Sequence, residues 1–530
     1  MAYPIYLTIG NIPKDIHRKP SCHVQILIGY LPTTKLEGFG NKSAQWCALV
    51  NLFHTCMERV LGPISHYGET GVPMVGGDGV WRRCHPILAN FVGDYPEQVL
   101  VTCTYYGRCP KCLVPPDQLG EYDFYPPRDH NEAVETYLLA DGDVRAFHAA
   151  CRDIGLKPAF HLFWESFPLV NIFLSITPDI LHQLLQGVMK HLISWLTSPS
   201  AFGPTQIDAR CRLIPPNHHI KLFSKGITTL SRISGKEFKA ICGILLALIV
   251  DLPLPHRQLP TRALKAAHAL LDFLFLAQFQ SHTSETVHRL EDSLVRFHEN
   301  KAIFAELGIR EHFNLPKVHS LVHYASSITL FGTTDNYNTE QTERLHIDFT
   351  KDAYRATNRK DEISQMTIWL DHHEKMQRHS AFINRQQGHS QPIPSPIPIG
   401  PPRPGARHLK MAMHPSVKAL ALRKVVRDYG AKYFPDALAD FVARINNPGA
   451  SRNEIKSIAA NTLLPFSTVA VFHKIKFTSR HDSDSSEVID TIHIRPEQTD
   501  MHGWIVPARS DTVLVRGQDQ DTVHGKDGKF

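Results

Sequence analysis

The chain has 530 residues, of which 42% are hydrophobic and 20% charged, with a formal net charge of +6. This is an ordinary globular composition, long enough for roughly two to four domains. The mildly basic charge is compatible with a nucleic-acid partner but does not by itself indicate one. The most apolar stretch, residues 241–250, is about ten residues long and too short to span a bilayer, so we expect no membrane insertion.

The ten cysteines show no spacing typical of a disulfide framework. The first residues lack the charged segment and long apolar core of a signal peptide. We therefore predict reduced thiols, in the cytosol or the nucleus.

The chain begins with predicted strands at residues 3–11 and 24–31, which are rich in β-branched and aromatic residues. A helix is predicted over 43–61 from its apolar periodicity. A third strand region is predicted over 86–104, interrupted near Asp94.

Helices dominate the sequence beyond Cys112. Thr261 and Thr283 are predicted to cap two of them at their N-termini. The apolar patterns predict helices over 131–152, 178–197, 236–250, 262–280, 284–307, 340–357 and 360–385.

A proline-rich run at 392–404 is typical of an extended, semi-rigid linker. Beyond it we predict a helical pair over 416–446. Polar composition predicts disorder at 481–487 and from 517 onward. Strands are predicted at 468–472, 488–494 and 512–515.

Two pairs of soft ligands have the spacing of one metal site. Cys109 and Cys112 form a CxxC turn, and His319 and His323 form an HxxxH pair on one helical face. Together they make a complete Cys2His2 set for a structural zinc ion, because four protein ligands leave no open position. Cys103 is the nearest rival ligand. The alternative interpretation is ordinary buried thiols with core or surface histidines.

Two carboxylates flank these motifs. Asp94 precedes the CxxC, and Glu343 follows the HxxxH near the start of a predicted helix. Nucleases hold two divalent ions between such carboxylates, and Mg²⁺ or Mn²⁺ prefers oxygen ligands. Glu340 is a rival for Glu343, and Asp78 lies in a glycine-rich turn that favours a loop role. Without their context, both carboxylates are most simply solvated surface residues.

Asp179 and His182 lie at the start of a predicted helix, where Asp suits the positive helix terminus. They are either an N-terminal Asp with a packed His, or a pair that meets DNA or the edge of an active site. The basic residues after Glu343 are candidates for phosphate contacts, with a solvated helix face as the alternative. These residues are Arg344, Lys351, Arg355, Arg359 and Lys360.

Several ordered segments resemble the Plavaka-type fungal transposases, relatives of the CACTA DDE transposases. They include Asp94-Tyr95-Pro96-Glu97-Gln98, Cys109-Pro110-Lys111-Cys112 and Thr177-Pro178-Asp179-Ile180-Leu181-His182. Further matching segments are 2–13, 29–32, 297–301, 307–312 and 338–346. The resemblance is close over about 2–385 and looser in the tail.

The resemblance implies an α/β fold with an RNase H-like core, N-terminally incomplete and interrupted by a large helical insertion. The expected divisions are 1–112 for the first part of the core and 113–312 for the insertion. The rest of the core is 313–388, followed by the linker at 389–408. A helical pair and a small β-containing region occupy 409–530.

Carried over residue by residue, Asp94 matches the second acid of the family and Glu343 the third. Asp179 and His182 match its DxxH pair, with Arg344 as an accessory residue. Cys109, Cys112, His319 and His323 match its zinc ligands. The implied activity is Mg²⁺- or Mn²⁺-dependent cleavage at transposon ends in the nucleus, followed by strand transfer into target DNA. Self-association is a further expectation.

The family's first acid lies on a strand upstream of residues 3–9, before Met1, and Asp15 lies past that strand. The sequence therefore predicts a truncated and inactive enzyme, because a two-metal site needs its carboxylates. The alternative is a zinc-stabilised DNA-binding or scaffold protein derived from a transposase. A third interpretation, an unrelated zinc hydrolase, is disfavoured by four protein ligands on the zinc.

Overall fold

A computed structural model describes most of the chain. The chain divides into two compact units. The N-terminal unit comprises residues 1–211 and 225–393, and the C-terminal unit comprises 212–224 and 394–530. Within the described part, no helix combines the length and the apolarity needed to cross a membrane. The described residues are 3–17, 19, 22–215, 220–255, 259–387, 408–411, 414–464, 466–480, 487–499, 503–506 and 508–510.

The described strands of the N-terminal unit form two antiparallel pairs. Strand β1 (Tyr3–Leu7) pairs with β2 (Ile26–Leu31), as expected from their β-branched composition. Strands β3 (Val72–Val75) and β4 (Trp81–Cys84) form a hairpin around the glycine-rich turn that contains Asp78.

Helices make up most of this unit. Two π-helical segments, Ile180–Met189 and Ile347–Asp352, interrupt the regular geometry, and the short 3₁₀ turn Ser320–His323 continues one helix. The α-helices are α1 (Lys14–His17), α2 (Lys42–Thr70), α3 (Tyr95–Val101), α4 (His130–Leu138), α5 (Val144–Asp153), α6 (Ile172–Ser175), α7 (Lys190–Leu196), α8 (Pro204–Leu213), α9 (Gly235–Ile249), α10 (Thr261–Ala277), α11 (Ser284–Asn300), α12 (Ile303–Glu306), α13 (Pro316–His319), α14 (Tyr324–Phe331), α15 (Thr339–His346), α16 (Ala353–Arg355) and α17 (Glu362–Gln386).

One apolar core lies between α2 and the segment 156–176. Trp164 is completely buried at its centre, and its indole Nε1 donates to the carbonyl of Val101 at 2.9 Å. Phe53 and Met57 pack into the same core from α2. A buried indole needs such a partner, so this bond joins the core to the C-terminal end of α3.

The predicted third strand region was wrong over most of its length. Phe91 and Thr104 make isolated β-bridges there, while Tyr95–Val101 is helix α3. Asp94 accepts a hydrogen bond from the Glu97 N–H, and Pro96 occupies the first turn. An aspartate cap followed by proline is a helix start, so the predicted interruption of a strand is the beginning of a helix.

Other differences have equally local causes. The predicted helix over 131–152 is broken into α4 and α5 near Gly142. Thr261 is the first helical residue rather than the cap, which is Pro260. The cap at Thr283 is confirmed: its side chain accepts from the Thr286 N–H, and Thr286 bonds back to it.

The described residues of the C-terminal unit form three small antiparallel sheets and three helices. The predicted helical pair over 416–446 was partly wrong, because its first residues form a strand. The strands predicted near 468–472 and 488–494 are confirmed. The elements are β5 (His408–Met411), β6 (Val417–Ala421), α18 (Leu422–Asp428), α19 (Phe434–Asn446), α20 (Arg452–Ala460), β7 (Thr468–Val471), β8 (Lys474–Arg480), β9 (Glu487–Arg495), β10 (Gln498–Thr499), β11 (Ile505–Val506) and β12 (Arg509–Ser510).

The largest of these sheets has the strand order β12-β9-β8-β5, and the other two are the pairs β6-β7 and β10-β11. The proline-rich run at 392–404, the polar segment 481–486, the predicted strand 512–515 and the end from 517 lie outside the described residues.

Asp208 offers a test of the packing around α8. Its buried carboxylate accepts from the N–H groups of Ile227 and Thr228 and from the Thr228 hydroxyl. We expect Asp208→Ala to lower the free energy of unfolding by about 2–3 kcal/mol, because it leaves buried donors unpaired. Urea unfolding measures this.

The matched control is Asp251→Ala, whose carboxylate is 78% exposed and lies 3.8 Å from Arg210. It should change stability by less than about 0.5 kcal/mol. Equal effects of the two substitutions would contradict the assigned role of Asp208.

Candidate metal centre and acidic site

The four predicted soft ligands meet at one point. Cys109 Sγ lies 3.2 Å from His323 Nε2, and Cys112 Sγ lies 3.1 Å from His319 Nε2. The four donor atoms all lie within 4.8 Å of one another. Bonds of about 2.0–2.3 Å in a tetrahedral zinc site place ligand atoms about 3.3–3.8 Å apart. The cluster therefore fits a zinc ion without large movement.

The CxxC turn is held by hydrogen bonds from both sides. Tyr95 Oη accepts from the Gly107 N–H at 2.8 Å and donates to the Arg108 carbonyl at 2.9 Å. Arg128 Nε donates to the Cys109 carbonyl at 2.9 Å from the other side. Gly107 has φ +87, which favours glycine. The turn is thus fixed by the protein independently of its thiols.

The two buried thiols shift each other's pKa in opposite directions. Burial raises the pKa of Cys109, but the hydrogen bond with Cys112 and the neighbouring His323 and His319 outweigh it and lower the pKa well below its usual value. The same bond to Cys109, together with burial, raises the pKa of Cys112. A thiolate beside two imidazoles is the donor chemistry that zinc selects.

The histidine pair is presented by α13 and the turn that follows it. Pro316 starts α13, His319 is its last residue, and His323 lies one turn further on. Among the described residues, this is the only cluster of three or more metal-ligand side chains. Cys103, the rival ligand, is instead buried 3.5 Å from His54.

Residues beside the zinc ligands hold the segment that carries Asp179. Lys111, inside the CxxC, donates to the carbonyls of Leu174 at 3.2 Å and of Ile176. Lys317, two residues before His319, donates to the His182 carbonyl at 2.9 Å. The segment that carries Asp179 is therefore bonded both to the CxxC turn and to the HxxxH segment.

One close approach depends on glycine. The Lys317 side chain crosses Gly187 so closely that a Cβ there would lie 2.5 Å from Lys317 Cδ. Any larger residue would displace the lysine from the His182 carbonyl. The absence of a side chain at Gly187 thus gives Lys317 the space to reach the His182 carbonyl.

Asp179, His182 and Glu343 form a hydrogen-bonded chain. Asp179 is 1% exposed, and its Oδ2 lies 2.9 Å from His182 Nδ1. His182 Nε2 lies 3.0 Å from Glu343 Oε1, on α15. Thr339 donates to the other oxygen of Asp179 through its N–H and its hydroxyl. The imidazole thus bridges two acids that are distant in sequence.

The environment keeps His182 protonated. Burial alone would lower its pKa, but the hydrogen bonds and charges of Asp179 and Glu343 raise it to about 10. Both ring nitrogens then donate, one to each carboxylate. The cation therefore offsets the repulsion that the two acids would otherwise exert on each other.

Asp94 occupies the same position in its segment, relative to the β-bridge, as Asp179 does in the neighbouring segment. Phe91 and Ile176 form a parallel β-bridge, and Asp94 and Asp179 each follow three residues later. Gln98, one turn into α3, connects the two segments by donating to the backbone carbonyl of residue 177 at 2.8 Å. The two aspartates therefore lie beyond the same edge of this short parallel pairing.

The pKa of Lys317 responds to the charges of both Asp94 and Asp179. Burial and the charge of Lys190 lower its pKa, whereas the charges of Asp94 and Asp179 raise it. The ammonium group thus lies in the field of both carboxylates while it donates to the His182 carbonyl.

Several residues of this site were missed in the sequence. Glu97 is half-buried and accepts from the Tyr3 hydroxyl at 2.7 Å, and desolvation raises its pKa. Gln183 Nε2 donates to Gln98 Oε1 at 2.9 Å. Paired amides and a tyrosine have no distinctive spacing, so the sequence carried no signal for their individual roles beyond their place in or beside the segments that carry the resemblance.

The basic candidates after Glu343 are exposed. Arg344 pairs with Asp348 at 3.2 Å, and Arg355 pairs with Asp352 at 2.8 Å. Lys351, Arg359 and Lys360 are exposed as well.

The rival acids have other contacts. Glu340 pairs with Lys239 at 2.8 Å, and Asp78 pairs with Arg82 at 2.7 Å in its turn. Neither carboxylate contacts His182, so the structure favours Glu343 as the acid that joins the Asp179 segment.

Comparison with known proteins shows that the N-terminal region is similar to a family of transposases. More particularly, residues 1–196 match the family model described as Plavaka transposase, which confirms the predicted resemblance over that part of the chain. The match includes Asp94, the CxxC and the Asp179–His182 pair. Residues 382–522 match a second model, described as Domain of unknown function (DUF6830). Curated proteins give no match.

The metal centre has a direct test. We expect the purified protein to bind about one zinc ion per chain, and Cys112→Ser to lose most of it, because one ligand is removed. Metal analysis and the absorption spectrum of the Co²⁺-substituted protein measure this. Acid should release the ion as thiolates and imidazoles are protonated.

The control is Cys56→Ser, since Cys56 is half-buried on α2 and outside the cluster. It should retain the metal. A wild-type protein that binds no zinc, or equal loss in both variants, would refute the metal centre.

The raised pKa of His182 predicts that the stability of the protein depends on pH. The pKa of His182, raised to about 10 in the folded state, is about 6.5 in the unfolded chain. Its contribution to stability is therefore complete below about pH 6.5 and is lost as the pH rises through about 10. NMR titration of the imidazole, without added divalent metal, should show a charged ring at neutral pH.

Glu343→Gln should lower the pKa of His182 because one of its two carboxylate partners is removed. The exposed Glu299→Gln on α11 is the control and should leave the titration unchanged. An imidazole that titrates near 6.5 in the unaltered protein would contradict the bridge.

Proposed function

We propose that this chain is a DDE-type DNA transposase with an RNase H-like catalytic core, in which Asp94 and Glu343 bind the catalytic Mg²⁺ or Mn²⁺. The observation that carries the proposal is the Asp179–His182–Glu343 chain. This chain of contacts brings α15 next to the segment that contains Ile176 and Asp179. That segment pairs, through Ile176 and Phe91, with the segment that carries Asp94. Acids from three separate parts of the sequence thereby share one region.

The local β-structure supports this assignment. Adjacent strands lie about 4.8 Å apart, and residues beyond the ends of parallel strands share one edge of a sheet. Asp94 and Asp179 follow the bridged residues Phe91 and Ile176 at equal offsets. The antiparallel pair β1–β2 precedes them in the chain. An acidic edge beside parallel extended segments is what an RNase H-like nuclease requires.

Each residue then has a defined task. Asp94 and Glu343 offer the oxygen ligands that Mg²⁺ or Mn²⁺ prefers. A divalent ion at such a site supplies charge stabilisation for phosphodiester cleavage and for attack by the freed 3′ hydroxyl. His182 orients Glu343 through their 3.0 Å contact, while buried Asp179 fixes the imidazole. Lys317 fixes the His182 backbone.

The Cys2His2 cluster has a structural role in this proposal. It joins the segment after Asp94 to the segment before Glu343, which keeps the two acids in register. Exposed Arg344, Lys351, Arg355 and Arg359 supply cationic contacts for DNA phosphates. Action on DNA places the protein in the nucleus. Self-association is part of the proposal because two transposon ends must be handled together.

A zinc-stabilised DNA-binding or scaffold protein is the second candidate. One observation favours it: in the described part of the chain, the Cys2His2 group is the only cluster with three close metal-ligand side chains. In this alternative, DNA binding persists but divalent ions produce no cleavage.

Cleavage of DNA that carries the ends of the element tests the proposal. Mg²⁺- or Mn²⁺-dependent nicking at the ends would support the proposal and contradict the sequence-based prediction of an inactive enzyme. Glu343→Gln should reduce such nicking at least about a hundredfold, since a metal-binding carboxylate is lost. Gel analysis of end-labelled DNA measures it. Glu299→Gln is the matched control and should cleave normally.

Zinc content and DNA affinity should be unchanged in Glu343→Gln. Cleavage that survives this substitution would refute the role of Glu343. DNA binding without any metal-dependent cleavage in the unaltered protein would favour the scaffold alternative.

A further inference from the structure

A separate cavity of about 300 Å³ lies against α15, between α17 and residues 23–25. Its apolar lining includes Leu345, Phe349 and Trp369. Ligand pockets usually measure about 300–1,000 Å³, so this one is the size for a small planar group. We call it the α15 pocket.

Aromatic and amide groups define its chemistry. The rings of Trp369 and His373 stack, with centroids 5.3 Å apart and planes at 9°. Gln25 Nε2 donates to Gln341 Oε1 at 3.2 Å, and Gln377 Nε2 lies 2.8 Å from His373 Nε2. Glutamine amides pair with the edges of nucleobases, and aromatic rings stack on their faces.

The charges in the pocket permit an anionic ligand. Its two carboxylates, Asp348 and Asp352, are each paired with an arginine at 3.2 and 2.8 Å. His17, Lys19 and His23 line the same cavity. A phosphate attached to a bound base would therefore meet cationic or neutralised groups.

The pocket lies on the other side of α15 from the acidic site. Gln341 and Leu345 are four residues apart and share one helical face. Glu343 lies between them in sequence and projects to the opposite face, where it contacts His182. One helix diameter, about 10 Å, separates the two. Only a base that has left its duplex can enter while its strand passes Glu343.

We propose that the α15 pocket binds a single unpaired nucleobase of the DNA strand held at the acidic site. The proposal rests on the proposed function, because it takes DNA as the substrate. Unpaired bases are the chemical class that fits: they present a flat face to Trp369 and hydrogen-bonding edges to the glutamines.

Equilibrium binding tests this without cleavage. The probe is a fluorescein-labelled duplex with a short single-stranded 3′ overhang, compared with the same duplex whose overhang sugars lack bases. Both carry equal phosphate charge. Stacking of one base is worth about 1–3 kcal/mol, so removing the bases should weaken binding roughly fivefold or more. Fluorescence anisotropy without added Mg²⁺ or Mn²⁺ measures it.

Trp369→Ala should weaken binding of the normal overhang by a similar factor and abolish the difference between the two probes. Trp369→Phe retains a ring and should restore most of that difference. Trp81→Ala is the matched control, because Trp81 is 71% exposed on the β3–β4 hairpin and away from the pocket. It should leave the difference intact.

Should Trp369→Ala fail to fold, as judged by its zinc content and unfolding transition, His373→Ala replaces it, with the same expected loss. Equal affinity of the unaltered protein for both probes would overturn the pocket proposal and leave the proposed function standing. Discrimination that survives both pocket substitutions would overturn it too. A protein that binds neither DNA would instead refute the proposed function.

Discussion

The contact between the CxxC turn and the HxxxH segment is the constraint on which the N-terminal unit depends. Cys112 and His319 are 207 residues apart in sequence, yet their donor atoms lie 3.1 Å from each other. The residues beside these ligands, Lys111 and Lys317, hold the backbone around Asp179 and His182. A cluster with a structural role therefore also determines the geometry of the acidic site.

The acidic site is an electrostatic compromise. Two carboxylates near each other repel, and burial of Asp179 raises that cost because fewer water molecules screen the charge. The protonated imidazole of His182 compensates by contacting both acids. Thr339 satisfies the remaining oxygen of Asp179. The arrangement keeps Glu343 half in solvent, where it stays accessible to ligands.

The sequence was most informative where chemistry demands fixed spacing. Cys109, Cys112, His319 and His323 could be recognised because two such pairs of soft ligands together make up the complete donor set of a tetrahedral zinc ion. Asp94 was recognised as well, but its local role was misread: a capping aspartate before proline begins a helix, whereas the β-branched residues around it favoured a strand.

Tertiary contacts decided the rest. The β3–β4 hairpin is stabilised by a glycine-rich turn between short strands, which periodicity over so few residues does not reveal. The amide pair Gln98–Gln183 and the Tyr3–Glu97 bond join residues that are distant in sequence, and no spacing rule indicates these contacts. The α15 pocket likewise exists only because α17 folds back beside residues 23–25.

The distance along the chain between the two halves of the metal centre has a consequence during synthesis. Cys112 and His323 are separated by 211 residues. At about 5–20 residues per second, the CxxC turn leaves the ribosome on the order of 10–40 s before its histidine partners exist. During that interval the nascent chain displays a reactive thiol pair. Its thiols can meet oxidants or a wrong metal before the native ligands arrive.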